Sequence, residues 1–217
     1  MTTKLLHISA SPRGEASASL RIAAGFTDAF RAAHPGAEVD EWDLWDGTLP
    51  DFGPAAAGAK MTVFGGGTPE GEQALAWRRA RVAFERFEAA EHVLFSVPMW
   101  NAGVPYVLKQ FIDVVSQPGW IFGVDPQTGY EGLLAGRGKR VAVVYTSAVW
   151  GPPLGPAFGR DFQSTFFEDW LRWTGIDDIT SIRYHPTLTG DADAHMRQAL
   201  GEARRVGGAF APVAVAA

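Results

Sequence analysis

The sequence predicts an α/β protein: a doubly wound parallel sheet with helices on both faces. Three observations lead there. Strand-like and helix-like apolar patterns alternate along all 217 residues, the signature of repeated βαβ units. The run at 140–145 is apolar without in-out alternation, as expected of a strand covered on both faces. Residues 93–97, Val-Leu-Phe-Ser-Val, stop abruptly in Pro98-Met99-Trp100-Asn101 and restart as an amphipathic run to Val115. A strand that ends so sharply before a helix marks the carboxyl edge of a parallel sheet, where such sheets bind ligands.

Taken in order, Leu5, Leu6 and Ile8 make a short first strand. Beyond a loop through Pro12 and Gly14, Ala23, Phe26, Phe30 and Ala33 repeat at helical spacing until His34-Pro35-Gly36 stops the helix. Residues 39–44 read as the second strand. Residues 46–69 are rich in Gly, Ala and Pro and predict a long irregular connection with one short helix around 55–61. Residues 72–90 form a helix with Trp77, Ala80, Phe84 and Phe87 on one side, feeding the third strand at 93–97. The next helix carries Leu108, Phe111, Ile112 and Val115 inward, with Pro105 suited to its first turn, and Gln117-Pro118-Gly119 ends it. Residues 120–138 predict a loop or hairpin excursion, 140–145 the fourth strand, 162–173 a helix, 179–184 the fifth strand and 191–206 the closing helix. No linker or repeat divides the chain, so residues 1–217 read as one domain. The tail at 206–217, small and apolar, either covers a partner subunit or frays.

Composition narrows the function. With 47% hydrophobic residues the chain has ample material for one core. A net charge of −5, with Lys and Arg scattered, argues against general nucleic-acid binding, which needs a concentrated basic face. The absence of cysteine excludes disulfides, a thiolate nucleophile and a zinc-thiolate site. Neither an apolar run of membrane-spanning length nor a signal-peptide core is present, so a soluble cytoplasmic protein is expected. The five histidines show no metal-ligand spacing, and no metal is expected.

Three segments begin where the first, third and fourth strands end, and a doubly wound sheet brings these ends to one crevice. In residues 9–19, the hydroxyls of Ser11, Ser17 and Ser19 precede a helix start whose free amides and dipole favour a phosphate, with Arg13 in the loop. The plainer reading makes Ser17 or Ser19 an N-cap. Residues 98–105 read either as a turn that presents backbone groups, Trp100 and the Asn101 amide to a planar heterocycle, or as a plain turn with a buried Trp. Residues 146–151 end the fourth strand in small polar residues and an aromatic, either a third contact set or a capped turn. No Gly-x-x-x-x-Gly-Lys phosphate loop and no Gly-x-Gly-x-x-Gly turn is present.

Ser-x-x-x-x-x-Ser-x-Ser after the first strand, Pro-Met-Trp-Asn leading into Val-Pro-x-x-Leu-Lys-x-Phe-Ile-Asp, and Gly-Trp-Ile-Phe followed by Gly-Leu-Leu-Ala-Gly-Arg-Gly-Lys-Arg resemble the FMN-dependent NADH-azoreductase and quinone reductase family. The resemblance runs over nearly the whole chain, and residues 98–113 are its most specific part. It implies a flavodoxin-like fold with strand order 2-1-3-4-5, a homodimer with tightly bound FMN at the interface, and NADH or NADPH as co-substrate. It implies phosphate contacts at Ser11, Ser17, Ala18 and Ser19, and ring contacts at Met99, Trp100, Asn101 and Ala102. A further set is implied at Thr146, Ser147, Ala148 and Val149. Relatives commonly carry Tyr at the position of Trp100, and a basic residue with paired glycines where Ser147, Ala148 and Val149 stand.

The expected activity is two-electron reduction of quinones and azo compounds in a ping-pong cycle, with the flavin and no side chain carrying the chemistry. Trp120 and Phe122 are candidates for a hydrophobic wall over the substrate, with core or interface packing as the alternative. Two other classes compete. A flavodoxin-type electron carrier shares the fold, but the excursions at 46–69 and 120–138 favour an enclosed small-molecule site. A serine hydrolase, with His185 or His195 as base, lacks the Gly-x-Ser-x-Gly elbow.

Overall fold

The computed structural model describes residues 3–210 other than 153 and 189. In chain order the first half holds β1 (Lys4–Ser9), α1 (Ala18–Ala33), β2 (Glu38–Asp43), α2 (Pro54–Phe64), α3 (Gly71–Glu88) and β3 (His92–Pro98). The second half holds α4 (Tyr106–Val115), β4 (Phe122–Asp125), β5 (Gly129–Gly132), β6 (Arg140–Thr146), α5 (Ser164–Trp173), β7 (Asp178–Tyr184) and α6 (Ala192–Gly208). Five strands pair in parallel in the order β2-β1-β3-β6-β7. This is the expected 2-1-3-4-5 order once the antiparallel β4–β5 hairpin is set aside as an insertion.

The central strands are largely apolar because each serves two cores. Leu5, Leu94, Ala142 and Val144 face α1 and α6, where they meet Phe26, Phe30, Ala199 and Ala203. Their chain neighbours Leu6, Val93, Phe95, Val141 and Val143 face the opposite layer with Phe84, Phe87, Phe111 and Phe167. Successive strand side chains point to opposite faces, so a strand covered twice is apolar on both, except where buried polar side chains partner one another. Helices α1 and α6 lie so close that a Cβ at Gly207 would stand 2.3 Å from the Phe26 carbonyl oxygen. Only glycine permits that approach.

Several boundaries differ from expectation for local reasons. The short helix at 55–61 extends over Pro54–Phe64, with Pro54 in its first turn. Helix α5 begins at Ser164 rather than 162, because the Asp161 carboxylate accepts from the Gln163 amide at 3.1 Å and the Ser164 amide at 2.7 Å. Ala33, assigned to the apolar side of α1, is exposed at that helix's last turn. At the carboxyl end, Val206 and Phe210 are buried against the α1 layer, while 211–217 lie outside the described residues. No helix among the described residues is long and apolar enough to cross a membrane.

One polar pair is sealed into the α1/α6 face: His7 Nε2 and Ser96 Oγ stand 2.8 Å apart between β1 and β3. Burial lowers the His7 pKa from 6.5 to about 4, since desolvation penalises the imidazolium. The unfolded chain therefore takes up a proton before the folded one does. This contribution is complete above pH 6.5 and is lost as pH falls towards about 4, a total of about 3 kcal/mol. Urea midpoints should fall over that window, and His7→Gln should remove most of the slope. An unchanged slope in the variant would show that other groups are responsible.

Candidate functional site

The ends of β1, β3 and β6 are in register: Ser9 stands opposite Ser96, and Pro98 opposite Thr146. The ladders continue past the strands, with Ala10 N donating to Ser96 O at 3.0 Å and Met99 N to Thr146 O at 2.7 Å. Three loops therefore leave the carboxyl edge side by side. In the first, Ser17 is the N-cap of α1, its Oγ accepting from Leu20 N at 3.3 Å and lying 3.0 Å from Ser19 Oγ. The N-cap reading of Ser17 is thus correct, and it leaves a site behind it. The Ala18 and Ser19 amides have no acceptor among the described residues, and unsatisfied amides at a helix start attract anions.

The second loop is a two-residue hairpin. Trp100 and Gly103 exchange backbone hydrogen bonds of 2.9 Å in both directions. The central residues Asn101 and Ala102 have φ of 49° and 67°, the only positive values outside glycine among the described residues. Asn tolerates that region; Ala pays for it by about 1–2 kcal/mol. The Met99 and Trp100 amides are already engaged with Thr146 and Gly103, so only those of Asn101 and Ala102 remain free for a ligand among the described residues. The Ala102 carbonyl accepts from Phe162 N at 3.0 Å, which ties the turn to the start of α5. Trp100 rests on Trp45, ring centroids 5.8 Å apart, and Trp45 Nε1 donates to Ala10 O at 3.1 Å.

The third loop is held from both sides. Ser147 N donates to Tyr184 O at 3.3 Å, Ser147 O accepts from Thr187 N at 2.9 Å, and Ser147 Oγ meets Met99 Sδ at 3.4 Å. Ala148 and Val149 are exposed.

Two cavities join these loops. One, of about 140 Å³, is lined by Ser11, Arg13, Ser17, Ala18, Trp100 and Thr146 among others. The second, of about 270 Å³, includes Asn101, Ala102, Val149, Trp150, Phe158 and Arg160. Met99, Ser147 and Ala148 line both, so they form one groove across the sheet edge. Neither lining contains a carboxylate; the charged residues are Arg13 and Arg160. A cavity of about 230 Å³ at the opposite ends of the strands pairs its own charges, Arg86 with Asp40 at 2.6 Å, and offers no comparable set of free donors.

The groove gathers eleven of the twelve cofactor candidates; Ser19 lies buried beneath it, its hydroxyl turned to Ser17. Trp120 and Phe122 require correction. Both are buried in the core, Trp120 against Trp77 and Phe84 at 4.5 and 5.5 Å and Phe122 against Trp173 at 4.8 Å, and neither lines the groove. The β4–β5 hairpin folds this segment back onto the helical layer, so the packing alternative holds within this chain. Trp45, Phe158 and Arg160 were missed. Trp45 had a readable signal, since it follows the second strand at the same sheet edge; the segment 156–160 carries no periodic or motif signal. The serine hydrolase alternative fails on geometry: the Ser–His hydrogen bond among the described residues is Ser96 to His7, sealed inside the sheet.

The sheet order, the amide-rich helix start after β1 and the aromatic turn after β3 define a flavodoxin-like α/β protein with an anion-accepting groove at its carboxyl edge. A family model described as a flavodoxin-like fold matches residues 3–206, and the chain belongs to the family of FMN-dependent NADH:quinone oxidoreductases within that fold. The FMN-dependent NADH:quinone oxidoreductase of Ruegeria pomeroyi is 46% identical, covering 91% of this chain and 97% of the relative. That of Desulfotalea psychrophila is 39% identical over 88% of each. Among solved structures, the azoreductase from Bacillus anthracis superposes with a TM-score of 0.85 at 26% identity, covering 96% of this chain and all of that one.

The strained turn makes a direct prediction. Ala102→Gly should raise stability by about 0.5–1 kcal/mol, because glycine adopts positive φ without the Cβ penalty. Thermal unfolding of the FMN-free protein measures it, and a fall in the midpoint would show that the Ala102 methyl contributes more by packing than it costs in strain.

Proposed function

We propose that the groove is the FMN site of an NADH:quinone oxidoreductase, with azo compounds as further acceptors. The observation that carries this reading is the groove itself: a carboxylate-free channel joining free helix amides and Arg13 at one end to an aromatic, amide-presenting turn at the other. The donor set suits the cofactor. The Ala18 and Ser19 amides, the Ser11 and Ser17 hydroxyls and Arg13 would hold the phosphate, where the positive end of α1 adds its field. The free Asn101 and Ala102 amides and the loop at Thr146, Ser147, Ala148 and Val149 would hold the polar rim of the ring, with Trp100 supplying a flat neighbour.

Held by these residues, FMN would supply the two-electron chemistry that couples NADH to the acceptor. The balance is NADH, a quinone and one proton giving NAD⁺ and the hydroquinone. The protein's share is binding, orientation and electrostatics. The amides and loop held by the ends of β3 and β6 would supply hydrogen-bond donors to the polar rim of the ring, already ordered before it binds. A shared site used in turn by NADH and acceptor gives ping-pong kinetics. A homodimer with FMN at the interface and a cytoplasmic location belong to the same proposal; exposed Met61, Phe64, Val82 and Tyr106 supply apolar surface for a partner subunit.

A visible spectrum after addition of FMN, followed by anaerobic NADH and then a quinone, tests the reading. Flavin absorption should be retained, bleached by NADH in stopped flow and restored by the quinone. A protein that binds no FMN overturns it, and one that binds FMN but is reduced by NADH only over minutes is a carrier. Ser17→Ala should weaken FMN about fivefold, the loss of one hydroxyl–phosphate hydrogen bond of about 1 kcal/mol.

A further inference from the structure

When the residues proposed for FMN are set aside, one wall of the groove remains unassigned: Trp150, Phe158, Gly159 and Arg160. Phe158 is 44% exposed and Trp150 half-buried, so this wall offers flat apolar surface open to the groove. Arg160 lines the same wall, and its guanidinium makes no hydrogen bond or ion pair among the described residues. Its acidic neighbour cannot neutralise it. The Asp161 carboxylate is engaged by the Gln163 and Ser164 amides at 3.1 and 2.7 Å, by the Ser164 hydroxyl, and by Arg183 at 3.5 Å.

Arg160 is also held in place by its backbone. Phe162 N is shared between Arg160 O at 3.2 Å and Ala102 O at 3.0 Å, which anchors this segment to the turn at the ring end of the groove. An unpaired cation with two aromatic side chains and no acid in the lining suits a planar aromatic ring bearing a carboxylate or sulfonate. Arg13, the other cation, stands at the phosphate end.

We propose that Trp150, Phe158 and Arg160 form an acceptor subsite that selects anionic aromatic electron acceptors, sulfonated or carboxylated quinones and azo compounds, over neutral ones. The proposal rests on the FMN reading above. The ring lies along the aromatic wall and its anion meets the guanidinium, which accounts for a free arginine at the mouth of a groove in an acidic protein.

The test compares a naphthoquinone with its sulfonated analogue at saturating NADH, in the FMN-loaded protein and in Arg160→Gln. The ratio of kcat/KM for the sulfonate to that for the neutral quinone should fall about fivefold in the variant. Arg160→Lys should restore most of it, and about 0.5 M salt should erase the wild-type preference by screening. A second readout needs no turnover: naphthalenesulfonate, which accepts no electrons, should perturb the bound-flavin or tryptophan spectrum of the wild type and bind about fivefold more weakly to Arg160→Gln. An unchanged ratio with unchanged naphthalenesulfonate affinity overturns the subsite. A rise in the KM for NADH without a change in the ratio assigns Arg160 to the dinucleotide diphosphate and overturns it equally. Failure to bind FMN or to oxidise NADH with either quinone sinks the underlying function instead, while the naphthalenesulfonate titration still decides for or against the subsite.

Discussion

The hydrogen bond from Met99 N to Thr146 O, 2.7 Å long, carries the β3–β6 ladder one step beyond the strands, and the site is built outward from it. It sets the direction in which the chain enters the Trp100–Gly103 hairpin. It also consumes the Met99 amide, so ligand donors are displaced to Asn101 and Ala102 at the tip. Beside it, Ser147 holds Met99 through a sulfur contact, and the Tyr184 and Thr187 backbone holds Ser147. A chain of sheet-like contacts thus positions loops that would otherwise be free to move. Sites placed on such rigid edges keep their geometry without the ligand.

The hairpin shows where stability is given up locally and recovered nearby. Ala102 occupies a backbone region that its methyl disfavours. The surroundings over-determine it: Phe162 donates to the Ala102 carbonyl, and the buried Gln163 Nε2 reaches the Val97 carbonyl at 2.7 Å. The Asp161 cap and its Arg183 ion pair keep the start of α5 in position to make both contacts. The segment leading into α5 therefore acts on the site by donating to the Val97 and Ala102 carbonyls rather than by presenting side chains to a ligand. Such a clamp leaves the two unbonded amides already ordered, which lowers the entropy cost of binding.

Charge is distributed against the average of the chain. The protein carries 24 acidic and 19 basic residues, yet the groove lining holds two arginines and no carboxylate. Its ligands under the proposed function, FMN and NADH, are themselves anions. Local acid depletion, free amides and the α1 dipole together provide an attractive field that net charge alone would oppose. A mean over the sequence does not report a field that depends on where the few relevant charges sit.

Much was legible from sequence because it depends on short-range rules. Alternating apolar patterns, Pro and Gly punctuation and the serine-rich helix start were enough to place the five sheet strands, the order of the helices and the three loops that meet at one edge. The same rules identified Trp100, Asn101 and the Thr146 loop as neighbours once a parallel sheet was assumed. They failed for Trp120 and Phe122, since an aromatic residue in a loop-like segment looks the same whether a hairpin folds it onto the core or leaves it over a site. They also failed for Phe158 and Arg160, which line the groove on a segment tied through Phe162 to a carbonyl 60 positions earlier. By itself the sequence determined the layers, the sheet edge and the kind of ligand that edge accepts. Tertiary structure decided which amides stay free, which aromatics are core and which arginines line the groove, because each of those depends on a partner distant in the chain.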